Sequence, residues 1–480
     1  MILRKGNVNG ITLIAALGGL LFGYDTAVIS GTVNALDQYF VVPLGLSELE
    51  ASARLGTLVA SALLGCIIGG AIASVLSERF GPRRILRLSA VLFAVSALGS
   101  AVPEFGFAAI GEGAHLDSLF VFYRIIGGIG VGLASVCSPM YIAEIAPAAI
   151  RGRLVSYNQF AIVTGILAAY FSNYGITVQG DEAWNLATGW RIMFAVEAAP
   201  ALLFFWLLKA VPESPRWLIL RGEREAGHNV LEDLYGAEYA ARESAEIGNS
   251  GQRGGSLFSF GIAVVLIGVG LSVLQQFVGI NVVLYYAPEI FRSMGLGADT
   301  AMLQTVVVGV VNLVFTIVAI RWVDHHGRRP LMIAGACAMG VSMLVLGTAL
   351  YLQVTGMLAL VAMLVFVASF SFSWGPVCWV LLSEIFPNRI RAKGLAVAVA
   401  AQWVANYLVS ASFPVLDRHP ALIASFHHGF AYWMYGVIAL LAALFVWLYV
   451  PETAGKSLEE MDSLWDARSP EPTPAPAPLR

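Results

Sequence analysis

Apolar residues along this chain run in long blocks, not in the alternation of a half-buried strand or the narrow stripe of a soluble amphipathic helix. A bilayer-crossing helix needs about 20 mostly apolar residues. Twelve blocks reach that length, at roughly 9–30, 55–76, 85–103, 119–143, 154–174, 190–211, 261–290, 303–323, 331–352, 357–382, 394–414 and 430–450. Gly, Pro and charged residues gather between them, where a chain leaving a bilayer turns. The pattern predicts an all-α membrane protein with twelve transmembrane helices.

Three short polar patterns occur twice. "SERFGPRR" (77–84) is answered by "VDHHGRRP" (323–330), "EIAPAAIRGR" (144–153) by "EIFPNRIRAK" (384–393), and "PESPR" (212–216) by "PETAG" (451–455). The offsets are 246 from Glu78 to Asp324, 240 from Glu144 to Glu384 and 239 from Pro212 to Pro451. A near-constant offset implies two pseudo-symmetric six-helix halves in parallel, the signature of transporters whose site lies between the halves near the midplane. The chain then divides into an N-terminal half (1–211), a cytoplasmic helical linker (212–260), a C-terminal half (261–450), and a cytoplasmic helix with a disordered tail (451–480). The linker carries charges at helical spacing until "GNSGQRGG" interrupts it, and the tail ends in Pro-rich low complexity.

Composition agrees with a membrane protein. Hydrophobic residues are 58% and charged residues 12% of the chain, about half the charged share of a soluble domain. Mean hydropathy is +0.76. Of the 28 Lys and Arg, 23 fall on the side of the termini, so the positive-inside rule places both termini in the cytoplasm. A net charge of −3 argues against a nucleic-acid partner. Cys66, Cys137, Cys337 and Cys378 lie in apolar stretches and read as packed small residues, not a disulfide or metal framework. No cleavable signal peptide is evident. There is no metal-ligand spacing, phosphate loop or nucleophile–base pattern, so neither an enzyme nor a cofactor is expected. No obligate protein partner is evident. His427 and His428 read as interfacial, and Trp190, Trp206 and Trp433 as boundary anchors or lipid-facing bulk.

The candidate chemistry lies inside the apolar blocks. Asp25 is the one charged residue between Ile11 and Gly31. The first block runs outward and ends near Ser30, which puts Asp25 roughly 8 Å below the outer edge. Arg124 lies five residues into the fourth block and Glu197 about seven into the sixth, both counted from the same side. Three intramembrane charges thus share one layer, either as a static ion pair or as a proton-coupling site. An arginine beside an acid favours the ionised form, so proton exchange requires the pair to part. Carboxamides both donate and accept, as a sugar's neighbouring hydroxyls require, and an aromatic ring suits its C–H face. Gln159, Gln275, Gln276, Asn281, Asn312 and Gln402 lie in spans, with Trp379 and Trp403. Each amide is inter-helix glue or a ligand contact. Adjacent Gln275 and Gln276 point about 100° apart, and Gly279 follows, so a broken seventh helix facing a cavity is expected. The duplicated loops hold Glu78, Arg79, Arg83, Glu144, Arg151, Asp324, Arg328, Glu384 and Arg391, read either as solvated charges or as a network latching the halves while the site faces outward.

These loops resemble the sugar porter family of the major facilitator superfamily. "PESPRWL", "PETAGKSLEE", "QQFVGINVVLYYAP" (275–288), "SWGPVCWVLLSEIFP" (373–387), "FGYDTAVISG" and "VAAQWVANY" (399–407) carry the resemblance, which spans Gly10 to Trp465 and is strongest to bacterial proton-coupled D-xylose members. Pro82 and His325 depart from the basic residues usual in the family's loops. The resemblance implies the major facilitator fold, sugar contacts at Gln159, Gln275, Gln276, Asn281, Trp379 and Gln402, and Phe22, Tyr285, Gly375 and Trp403 nearby, with Asn312 a weaker candidate. Tyr285 and Tyr286 read as interface aromatics or packing, with a mobile gate above the site the preferred reading for Tyr285. Proton-coupled members carry an acid matching Asp25. The expected function is import of a monosaccharide, D-xylose foremost, with a proton by alternating access, across a bacterial plasma membrane. A facilitative sugar uniporter is the rival, and a membrane sugar sensor is disfavoured by the short tail.

Overall fold

The computed structural model describes residues 8–147, 150–249, 257, 260–354, 356–387 and 390–453, without the side chains of 249, 323–326, 383 and 392. Among these, twelve helices are long and apolar enough to cross a bilayer. The first six are α1 (Val8–Gly31), α2 (Glu48–Phe80), α3 (Pro82–Ala101), α4 (Asp117–Ile145), α5 (Arg151–Thr177) and α6 (Glu182–Leu207). Three short helices follow: α7 (Pro215–Leu220), α8 (Arg224–Tyr235) and α9 (Ala237–Asn249). The last six spans are α10 (Ile262–Phe277) with α11 (Ile280–Ser293), α12 (Ala298–His326), α13 (Arg328–Tyr351), α14 (Met357–Phe372) with α15 (Pro376–Ile385), α16 (Arg391–Asp417) and α17 (Phe430–Tyr449). Every predicted block falls on one span. Several helices extend past the apolar blocks. α2 begins at Glu48 because Ser47 and Glu50 form a reciprocal capping box.

Glycines set the packing that positions the charged layer. On α2, a methyl at Gly65 would lie 2.1 Å from the Ile125 carbonyl; on α4, one at Gly128 would lie 1.8 Å from the Ala62 carbonyl. The two backbones therefore touch, as small residues permit between membrane helices, one turn beyond Arg124. α1 and α5 meet in the same way at Gly23 and Gly165. Tyr24 Oη donates to Ser172 Oγ at 2.9 Å, and Asn173 Nδ2 to the Val28 carbonyl at 3.0 Å, tying α1 to α5.

The two halves meet along α2 against α16 and α5 against α12. At one end of the molecule, here the far end, Arg418 pairs with Asp37 across the halves at 2.7 Å and α11 packs on the end of α1. The opposite, basic end carries the duplicated loops. There α7–α9 form a small cluster around Ile219, Leu231, Ala240 and Ile247. The cluster docks through Trp217 Nε1 onto the Glu78 carbonyl at 2.9 Å. The "GNSGQRGG" break and the tail beyond Thr453 lie outside the described residues, apart from the end of α9.

Two expectations are corrected. Trp190 is no boundary anchor: it is 1% exposed, in a cluster with Tyr39, Phe40, Phe120 and Phe194 that three helical segments build at the far end of the N-terminal half. Cys337 is exposed on α13, unlike the buried Cys66, Cys137 and Cys378. Trp206 is 61% exposed, as lipid-facing bulk requires, whereas Trp433 is half-buried and donates to Thr348 Oγ1.

Candidate functional site

Asp25, Arg124 and Glu197 come together in one buried layer between α1, α4 and α6, none more than 1% exposed. Arg124 Nη1 donates to Asp25 Oδ1 at 2.7 Å and Nη2 to the Asp25 backbone carbonyl at 3.0 Å. Glu197 sits where α6 is interrupted between Val196 and Ala198. Pro200 explains the interruption, since it has no N–H to give the Val196 carbonyl. The Glu197 carboxyl lies within hydrogen-bonding reach of Asp25 and feels the charge of Arg124. Asp25 Oδ2 and both Glu197 oxygens receive no N–H or O–H donor among the described residues. One guanidinium cannot neutralise two carboxylates. A single proton shared between the acids would balance the layer and supply the missing donor.

The seventh span breaks as predicted. Gly279, at φ +90°, separates α10 from α11, and a Cβ there would also lie 2.8 Å from the Tyr435 ring, so glycine is required twice over. The tenth span breaks as well, at Ser373–Gly375, with Pro376 starting α15. A run of carboxamides joins the two breaks. Asn281 donates to Gln276 Oε1, Gln276 Nε2 to Gln275 Oε1 at 3.3 Å, and Gln275 Nε2 to the Trp374 carbonyl at 2.8 Å. Gly375 supplies a second, longer acceptor to Gln275 at 3.5 Å.

The other predicted contacts are more scattered. Trp403 on α16 faces Phe22 on α1 with ring centroids 5.6 Å apart, a contact across the halves. Trp403 Nε1 and Gln402 Oε1 are buried with no hydrogen-bond partner among the described residues, which leaves one donor and one acceptor for hydroxyls. Gln159 and Trp379 are half-buried on α5 and α15. No hydrogen bond or ring contact among the described residues joins them to the amide run. Tyr285 is buried on α11, close to Asn406 on α16. Asn312 Oδ1 accepts from Ser371 Oγ at 2.7 Å, so its carbonyl oxygen joins α12 to α14.

The duplicated motifs at the basic end form two matching clusters. Glu213 and Glu452, the acids of "PES" and "PET", each cap the helix after a left-handed glycine, Gly81 or Gly327. Glu213 Oε1 accepts from the Arg83 N–H at 3.0 Å; Glu452 accepts from the Arg328 and Arg329 N–H groups at 3.0 and 3.1 Å. Burial pushes the Glu213 carboxyl above the ordinary range, while the Arg83 and Ser214 amides pull it back. Glu144 is half-buried close to Ser214, and its Oε2 has no hydrogen-bond partner among the described residues. Glu384 pairs with Arg328 at 3.1 Å and accepts from Thr453 Oγ1 at 2.5 Å. Arg391 Nε donates to the Phe386 carbonyl at 3.3 Å. Glu78, Arg79 and Arg151 are exposed, and the Asp324 side chain lies outside the described residues. Each of the bonds named here stays within its own half. Glu213 and Glu452 were visible as a repeat, but their helix-capping role depends on a turn that only the fold brings near.

A second buried ion pair has no counterpart in the sequence reading. Arg191 forks onto Glu104, Nη1 to Oε2 at 2.9 Å and Nη2 to Oε1 at 2.5 Å, and stacks on Trp190. Tyr39 also donates to Glu104. Glu104 lies in a loop and Arg191 at the start of a span, where charge is unremarkable, so no sequence signal marked them.

The family model described as sugar (and other) transporter matches residues 11–465. The chain is 58% identical over 467 residues to the D-xylose-proton symporter of Escherichia coli strain K12, covering 95% of each chain. It is 41% identical to the glucose facilitated diffusion protein of Zymomonas mobilis, over 96% of this chain and 98% of that one. Among solved structures, the inward open conformation of the xylose transporter XylE from E. coli superposes with a TM-score of 0.87 at 55% identity, over 95% of this chain and 100% of that chain.

Proposed function

Because the chain belongs to the sugar transporter family, we propose that it is a secondary active transporter that carries D-xylose inward with a proton. One observation carries the coupling: among the described residues, two carboxyls, Asp25 and Glu197, share one buried layer with a single guanidinium and have oxygens without donors. A proton entering that layer neutralises the excess charge; its departure restores it. Asp25 is the proton carrier, Arg124 sets when it is released, and Glu197 is the second acid. The sugar is held by Gln159, Gln275, Gln276, Asn281, Trp379 and Gln402, with Phe22, Tyr285, Gly375 and Trp403 around it. The identity to the E. coli symporter supports D-xylose as the sugar.

The halves rock about this centre. With the basic end in the cytoplasm, as the Lys and Arg count favours, both termini are cytoplasmic and the far end faces out. The inter-half pair Arg418–Asp37 and the packing of α11 on α1 then close the outer side, and the centre is reached from within. The likeness to an inward open structure supports that state. The Glu144 and Glu384 clusters act as latches that assemble across the halves when the basic end closes.

The facilitated-diffusion relative, at 41% identity, keeps a uniporter as the second reading. Proteoliposomes separate the two. An imposed inward-directed pH gradient drives D-xylose above its external concentration if the protein is a symporter. Uptake that stops at equal concentrations, whatever the gradient, identifies a uniporter.

A further inference from the structure

Two prolines interrupt helices close to the site, and each leaves a carbonyl without its helical partner. Pro288 lies inside α11 and Pro414 inside α16. A proline has no N–H to donate to the carbonyl four residues before it. The orphaned carbonyls are those of Leu284 and Ser410. In an apolar layer with no water, an unsatisfied carbonyl is costly and must find a donor. Both find a tyrosine hydroxyl. Tyr170 Oη donates to the Leu284 carbonyl at 2.7 Å, and Tyr286 Oη to the Ser410 carbonyl at 2.9 Å.

The two bonds differ in what they join. Tyr286 is on α11 and Ser410 on α16, both in the C-terminal half, and the Tyr286 ring also packs on Phe413 at 4.9 Å. That bond and ring contact fix α11 to α16. Tyr170 is on α5 in the N-terminal half, so its bond to Leu284 crosses the interface. Its ring is 1% exposed and sits against Gly309 on α12, where a methyl would lie 2.8 Å from the ring. The hydroxyl is thereby aimed at one acceptor by packing from both halves.

We infer that Tyr170 is a positioning residue that holds the far end shut by capping the carbonyl that Pro288 leaves open on α11. When the halves part at the far end, α11 leaves α5 and the Leu284 carbonyl must take a water instead. The bond therefore stabilises the far-closed state selectively. The proline is what makes the acceptor available.

The test uses the full chain with its four cysteines replaced by serine and Ser30→Cys as a reporter, a position 1% exposed near the end of α1. Tyr170→Phe removes only the hydroxyl and should speed labelling of the reporter by a membrane-impermeant maleimide about three- to tenfold, the range of one neutral hydrogen bond. Labelling at a reporter on the basic end should slow in parallel, which a general loosening would not produce. Pro288→Ala gives Leu284 an N–H in its own helix, so adding Tyr170→Phe to it should have little further effect. Unchanged far-end labelling in Tyr170→Phe overturns the proposal, as does an effect equally large in the Pro288→Ala background. If Pro288→Ala does not fold, the opposed change at the two ends in Tyr170→Phe still decides. The inference rests on rocking of the halves. If D-xylose itself shifts labelling at neither end, that reading has failed; a normal response to D-xylose with a silent Tyr170→Phe means that only the latch has failed.

Discussion

Arg124 grips Asp25 at two points, the carboxylate Oδ1 at 2.7 Å and the residue's own backbone carbonyl at 3.0 Å. A fork of this kind fixes the acid's position as well as its charge. Lysine offers a cation without the fork. Arg124→Lys should retain part of the D-xylose accumulation driven by a pH gradient, and Arg124→Leu none. Without any cation the neutral acids are the favoured form in this layer, and no proton is released. Accumulation by Arg124→Leu at the wild-type level would contradict this.

The amide run predicts a graded loss of sugar affinity. Gln276 both donates to Gln275 and accepts from Asn281, so Gln276→Ala removes a contact and strands its neighbours. Leaving such groups unpaired costs about 1–3 kcal/mol. Calorimetry should show D-xylose binding weakened by roughly 5- to 150-fold. Asn312→Ala should bind the sugar nearly normally, because its oxygen is engaged with Ser371.

The clusters at the basic end predict a shift in population. Glu384 is held by Arg328 and Thr453 within its half. Glu384→Gln, like Glu144→Gln, should raise accessibility of the centre from the cytoplasmic side without changing its sugar contacts. The Glu384–Arg328 pair is partly buried, and a pair of this kind contributes on the order of 1 kcal/mol, so either change alone should move labelling only a few-fold. Cysteine labelling from that side that is the same in both variants as in the wild type would count against a latch.

The Glu104–Arg191 pair predicts a loss of stability. Removing one partner of a buried pair costs roughly 3–5 kcal/mol. Glu104→Gln should therefore lower the thermal unfolding midpoint by several degrees in detergent. Burial alone would raise the Glu104 carboxyl, but the hydrogen bonds from Arg191 and Tyr39 outweigh it and hold the carboxyl below the ordinary range. A lowered folded value stabilises above the unfolded value of about 4.3 and is lost as pH falls through the folded one. Wild type should thus lose more stability than Glu104→Gln between about pH 5 and pH 3.

The contrast among these sites explains what could be read from the sequence. Asp25, Arg124 and Glu197 stood out because a charge inside an apolar block needs a partner, and depth alone aligned them. Gln275, Gln276 and Gly279 stood out because two adjacent amides cannot face one helix. Glu104 and Arg191 did not, since charges at the edge of a span are ordinary. Trp190 misled because burial at the far end depends on Tyr39, Phe40 and Phe120 arriving from other helices. Tyr170 carried no signal at all: its role arises only where α5 meets the gap that Pro288 leaves in α11.

The most direct test of the account is sugar-driven pH change in proteoliposomes carrying Asp25→Asn. The substitution removes the titratable group and keeps its shape. No hydrogen bond among the described residues joins Gln159 or the amide run to the charged layer, so D-xylose binding and exchange down a gradient should persist. Wild-type protein should alkalinise the external medium as sugar enters, and Asp25→Asn should not. Alkalinisation that continues in Asp25→Asn at the wild-type rate would show that Asp25 is a structural partner of Arg124 and that the proton travels elsewhere, with Glu197 the next residue to test.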